Sequence, residues 1–60
     1  MQVFTLQDDC EAYRFVLQGC RARVEWLRDG ETTRCEYMSR NGARDMARRL
    51  KAENPDFRWR

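Results

Sequence analysis

Three groups of side chains in this sequence have the types and spacing to do chemistry. They are the carboxylates Asp8, Asp9 and Glu11, the thiols Cys10, Cys20 and Cys35, and the cations Arg40, Arg44, Arg48, Arg49 and Lys51. The carboxylates resemble a loop for a hard cation, but one loop falls short of the six to eight oxygens that calcium takes, so a solvated acidic loop is expected. Three cysteines spaced 10 and 15 residues apart, with no histidine in the chain, do not make the four ligands of a zinc site. No metal and no cofactor is expected. An odd number of cysteines without a close pair is also poor material for a disulfide framework, which points to a reducing, cytoplasmic setting. Cys35 falls on an expected core face, whereas Cys10 and Cys20 fall in a loop and a turn and are the accessible thiols. Catalysis has little to work with. Without histidine there is no base poised near neutral pH, and no glycine-rich phosphate loop or activated nucleophile is visible. The expectation is a protein that binds and is not an enzyme.

The cations are the main means of meeting a partner. On a helix, Arg44, Arg48 and Lys51 line one flank, suited to phosphates or to an acidic protein surface. The same residues also suit a solvated helix face, since Asp45 can pair with Arg49 and C-terminal cations favour the helix dipole. Beyond the helix, Phe57 and Trp59 alternate with Arg58 and Arg60; aromatic residues with arginine are the composition of interface hot spots, and the two aromatics equally suit completion of the core. The expected partner-binding residues are therefore Arg40, Arg44, Arg48, Lys51, Phe57, Arg58, Trp59 and Arg60.

The elements that position these groups follow from turns and periodicity. The chain has 60 residues, 42% of them hydrophobic, with 12 Lys and Arg against 10 Asp and Glu. One small domain with one modest core is expected, because a chain of this length buries only about 60% of its unfolded surface. No apolar run reaches the roughly 20 residues of a membrane helix, and the start lacks the basic region of a signal peptide. Asp29-Gly30 supplies the positive φ that a type I′ hairpin needs at both central positions. Pairing outward from it places Trp26 opposite Thr33, Glu25 opposite Arg34, Val24 opposite Cys35, Arg23 opposite Glu36 and Ala22 opposite Tyr37. Gly19-Cys20 makes a second turn that sets Leu17 against Ala22, Phe15 against Val24, Arg14 against Glu25 and Tyr13 against Trp26. Residues 13–18, 21–28 and 31–38 thus read as an antiparallel meander, with residues 3–6 as an additional first strand.

From residue 39 the period becomes 3.6, with Ala43, Met46, Ala47 and Leu50 on one stripe. Ser39 or Asn41 caps this helix, and Asn54-Pro55 stops it. The expected fold is α+β, a three- or four-stranded antiparallel meander packed on one C-terminal amphipathic helix, with the segment from Phe57 to Arg60 either a short terminal strand or an aromatic tail folded onto the domain. Its expected core is Tyr13, Phe15, Leu17, Val24, Trp26, Cys35, Tyr37, Met46 and Leu50.

The run from Cys20 to Trp26, then Asp29-Gly30, then Thr33 to Ser39, then Ala43 to Leu50, resembles the strand, turn, strand, helix layout of AP2-like domains and of arm-type DNA-binding domains of phage integrases. The resemblance covers about 30 residues and is one of pattern. It implies a sheet set into a DNA groove, which would enlist Arg14, Arg23 and Arg34. The expected register departs from that use: it adds Glu25 and Glu36 to the same face, leaving it at +1, and turns Trp26 inward. Two functions remain. The first is a small regulatory protein that covers a surface of a larger protein, such as a phage or mobile-element accessory protein that inhibits or modulates a host or defence complex. The second is a nucleic-acid-binding module that uses the basic helix flank with Arg58 and Arg60. No membrane partner is expected, and a homodimer through an open sheet edge is a further outlet for the same features.

Overall fold

A computed structural model describes all residues from Met1 to Arg60. Four strands, β1 (Gln2–Gln7), β2 (Glu11–Gln18), β3 (Arg21–Arg28) and β4 (Glu31–Ser39), run as an antiparallel meander. The helix α1 (Arg40–Glu53) follows β4 directly, and the short β5 (Arg58–Trp59) returns to pair with β1. The sheet order is β4-β3-β2-β1-β5, so the first strand is an interior one. α1 packs across one face of the sheet and leaves the other bare. No helix is long and apolar enough to cross a membrane.

The turn chemistry carries through to the backbone. Asp29 and Gly30 take φ of 52° and 83°, and Gly19 takes 63°. These are left-handed values that close two-residue turns matched to the twist of the flanking strands. The β2–β3 register is the expected one throughout, with Phe15 opposite Val24, Leu17 opposite Ala22 and Tyr13 opposite Trp26. Ser39 caps α1 by accepting the Gly42 N–H at 3.1 Å. That contact explains a glycine in the first turn, because a Cβ there would stand 3.1 Å from the capping hydroxyl. At the other end the Asn54 backbone and side chain both donate to the Leu50 carbonyl.

The β3–β4 ladder departs from the expected register. Arg28 faces Glu31 and Leu27 faces Thr32, but Trp26 then faces Arg34, because a bulge at this point takes up Thr33. An extra residue on one strand moves every later residue to the other face. Glu25 thus faces Cys35, Val24 faces Glu36, Arg23 faces Tyr37 and Ala22 faces Met38. Two expected core residues are corrected by this shift: Cys35 is exposed and Tyr37 is 70% exposed, on the bare face. Met38 takes the inward place, packed against the core beneath the start of α1.

The core lies between α1 and the covered face. Leu6, Phe15, Leu17, Ala22, Val24, Ala43, Ala47 and Phe57 form it, flanked by the partly buried Phe4, Tyr13, Trp26, Met38, Met46 and Leu50. Ala43 and Ala47 are the buried residues of the helical stripe, and small side chains there let the two layers meet. Leu6 and Phe57 were not in the expected core. They enter it because β5 pairs with β1, with Leu6 opposite Trp59, and closes the far side of the domain.

Candidate functional site

The expected binding residues do not form one surface. Arg40 serves the fold: its backbone N–H and guanidinium donate to Cys20 and Gly19 carbonyls in the β2–β3 turn, and a second guanidinium nitrogen reaches Gln2 Oε1 at 3.0 Å. Lys51 Nζ donates to the carbonyls of Pro55 and Phe57, tying the end of α1 to the segment before β5. Phe57 itself is 4% exposed, so its expected role at a partner is corrected to a core role. Trp59 sits at the rim of the covered face, edge-on to Phe4 at 5.3 Å between ring centroids, and stays 46% exposed. Arg44 and Arg48 are exposed on α1, with Arg48 4.0 Å from Asp45. Arg58 and Arg60 stand on the other side of the sheet, beside Gln7 and Thr5, and are thereby separated from the helix flank by the whole core.

What the fold assembles instead is the bare face of the sheet. Alternation along the strands places Arg14, Arg21, Arg23, Arg58 and Arg60 there with Glu25 as the one strand acid, a formal +4. The bulge leaves this net charge unchanged but makes the face more purely basic: it sends both Arg34 and Glu36 to the covered side, where they pair with each other at 3.1 Å and Arg34 lies 4.9 Å over the Trp26 ring. Since the chain carries +2 in all, the rest of the molecule is net acidic.

At the centre of the face, Glu25 is held between two arginines. Arg14 donates to Oε1 at 3.0 Å. Arg23 Nε stands 3.2 Å from Oε2 without aiming its N–H at that oxygen. Glu25 is 15% exposed while both arginines are more than 40% exposed, so solvent or a partner meets the cations first. Next to them runs a cross-strand row of Val3, Val16, Arg23 and Tyr37. Val3 is 52% exposed, and Met1, Val16, Arg21, Arg23 and Tyr37 line a shallow hollow of ≈ 370 Å³. Met1, Val3 and Tyr37 are three of the four large hydrophobic side chains that the molecule exposes. A flat face with an aromatic ring, aliphatic side chains and clustered arginines can bury apolar area while its guanidiniums hold carboxylates or phosphates.

The acidic loop is arranged differently. Asp8 Oδ1 accepts the backbone N–H groups of Cys10 and Glu11 at 2.9 and 2.7 Å, and these bonds hold its carboxyl below the ordinary value. Asp8 thus shapes the turn between β1 and β2. No group of three or more Cys, Asp and Glu side chains gathers as a metal ion would require. Sequence reasoning found Arg58 and Arg60 and set Arg14 and Arg23 on one sheet face, but it put Tyr37 in the core and did not join Val3 and Arg21 to that surface. For Tyr37 the missing signal was the bulge, and no turn residue announces it. No family model, curated protein or solved structure matches this chain.

Proposed function

We propose that this chain is a small non-enzymatic binding protein that regulates a larger protein or complex by covering an acidic surface on it, and that the bare sheet face is the part that binds. The observation that supports this reading most is the concentration, on that one face, of three of the four exposed large hydrophobics and five arginines against one glutamate. Apolar side chains ringed by arginine suit a protein partner, because the apolar centre supplies affinity and the cations select and orient. With the fold resting on the opposite face, residues of this face can be replaced with little loss of stability.

Affinity capture with the immobilised chain tests it. A retained protein should be lost with Tyr37→Ala and with Val3→Asp, and kept when Arg44 and Arg48 are both changed to Glu. The converse pattern would return the binding surface to the helix flank. A second reading, nucleic-acid binding by the same face, draws on its +4 charge. In that case an oligonucleotide would bind with a log–log salt slope of about −4, since each neutralised phosphate contributes about −0.9.

A further inference from the structure

The strand β4 is nine residues long, forms one edge of the sheet, and is exposed at every position except Met38. The opposite edge is blunted by its shortness: it is the two-residue β5, which pairs with Leu6 and Gln7, and Thr5 and Arg60 exchange two backbone hydrogen bonds. Proteins commonly blunt a bare edge with proline, lysine, a bulge, inward-pointing charges or a very short strand. β4 has no proline or lysine, and its bulge lies before Arg34 and leaves the run from Arg34 to Ser39 in regular pairing with β3. The two inward charges of that run, Arg34 and Glu36, are of opposite sign and can be matched by a second strand. We infer that β4 pairs with β4 of a second copy of this chain, antiparallel, about a two-fold axis passing between the two Cys35 residues.

Charge complementarity fixes both the occupant and the register. Centred on Cys35, the pairing sets Arg34 of each copy opposite Glu36 of the other, giving two cross-strand pairs of opposite sign. Directly opposed residues must lie on the same face of a sheet, so the centre can move only by one residue at a time along the strand, with each self-paired residue facing its own copy. Centred on Arg34 the two arginines would oppose each other, and centred on Glu36 the two glutamates would do so. Both neighbouring registers are repulsive, and the Cys35 register is the complementary one. Side-chain exposures of 67% for Arg34 and 47% for Glu36 leave both groups accessible to the second copy. The symmetry also keeps the two bare faces on one side, so a ten-stranded sheet results whose open face carries twice the charge of one copy. This pairing stands on the edge strand alone and does not depend on what the open face binds.

Sedimentation equilibrium of the full chain under reducing conditions, over about a hundredfold range of concentration, tests the pairing. A monomer–dimer equilibrium is expected. Arg34→Glu and Glu36→Arg should each weaken it by about tenfold or more, since each creates two like-charge pairs in the dimer. The double exchange should restore it. In a C10S/C20S background, diamide should join two chains through Cys35. There two thiols lose two protons and two electrons to form one S–S bond, and the diazene is reduced to the hydrazine. Antiparallel pairing sets opposed Cα atoms about 4.5–5.5 Å apart, within disulfide range. A chain that stays monomeric throughout, a dimer indifferent to the charge exchange, or Cys35 that gives no cross-link would each overturn the inference. Circular dichroism of both single variants separates lost pairing from lost folding.

Discussion

The two faces of this one sheet are built from alternate residues of the same strands and carry opposite loads. On the covered face Leu6, Phe15, Leu17 and Val24 are at most 1% exposed. On the bare face Val16 is the one strand residue that is buried, at 7%, and its row continues into Arg23 and Tyr37. Residues one apart in sequence therefore differ completely in what they contribute: Phe15 holds the domain together, whereas Arg14 and Val16 belong to a surface. In a 60-residue chain with one core, stability comes from the face under the helix, and the other face is free to carry charge and exposed aromatic area.

The strongest way to break this comparison is to delete a side chain from each face. Phe15→Ala is expected to cost about 3–5 kcal/mol, most of the stability of a domain of this size, and should leave the chain largely unfolded in a urea titration. Tyr37→Ala should shift the same titration by no more than about 0.5 kcal/mol. Similar losses from both would show that the bare face supports the fold.

Cysteine labelling probes the next level, the bulge that separates the faces. In a dilute C10S/C20S protein, Cys35 should react with a thiol reagent within about tenfold of its rate in denaturant. Burial would slow the reaction by about a thousandfold or more, because labelling would then wait for unfolding. Where β4 runs into α1, Ser39→Ala should remove the cap and cost about 1 kcal/mol, read as a lower urea midpoint.

The smallest effect is on pH dependence. Burial, with Glu11 and Asp8 nearby, raises the Tyr13 phenol above its ordinary 10.0. The unfolded chain ionises first, so this contribution is complete below pH 10.0 and is lost as the pH climbs through the folded value. Asp8 shows the opposite sign. Its carboxyl is lowered by the backbone N–H groups of Glu11 and Cys10, so its contribution is present above 3.8 and is lost as the pH falls through the folded value. Urea midpoints should therefore decline at both extremes. Tyr13→Phe should flatten the alkaline arm, and Asp8→Asn the acid arm.

Much of the fold is legible in local chemistry. Asp29-Gly30 and Gly19 require their turns, the alternation in residues 13–18 and 21–28 sets the β2–β3 register, and Ser39 with Asn54 bounds the helix. The candidate site was less visible, for a physical reason centred on β4. The regular register made opposite-sign pairs of Glu25 with Arg34 and of Arg23 with Glu36, each worth only about 0.2–1 kcal/mol. The bulged register instead turns Met38 inward under the first turn of α1 and brings the Arg40 N–H onto the Cys20 carbonyl. A weak local preference yields to the burial of a long apolar side chain and to the docking of the helix.

By itself, then, the sequence determined the kinds of element, their turns and ends, and a chemistry dominated by arginine and aromatic residues. Those properties reside in a few consecutive residues, where backbone conformation and side-chain period act directly. The tertiary structure alone decided that Arg34 leaves the face of Arg14 and Arg23 while Tyr37 joins it, and that Arg58 and Arg60 share it. That outcome depends on parity across a ladder, which one extra residue at Thr33 reverses, and on β5 joining β1, which puts Arg58 and Arg60 on the face of Arg14 with β1 between them.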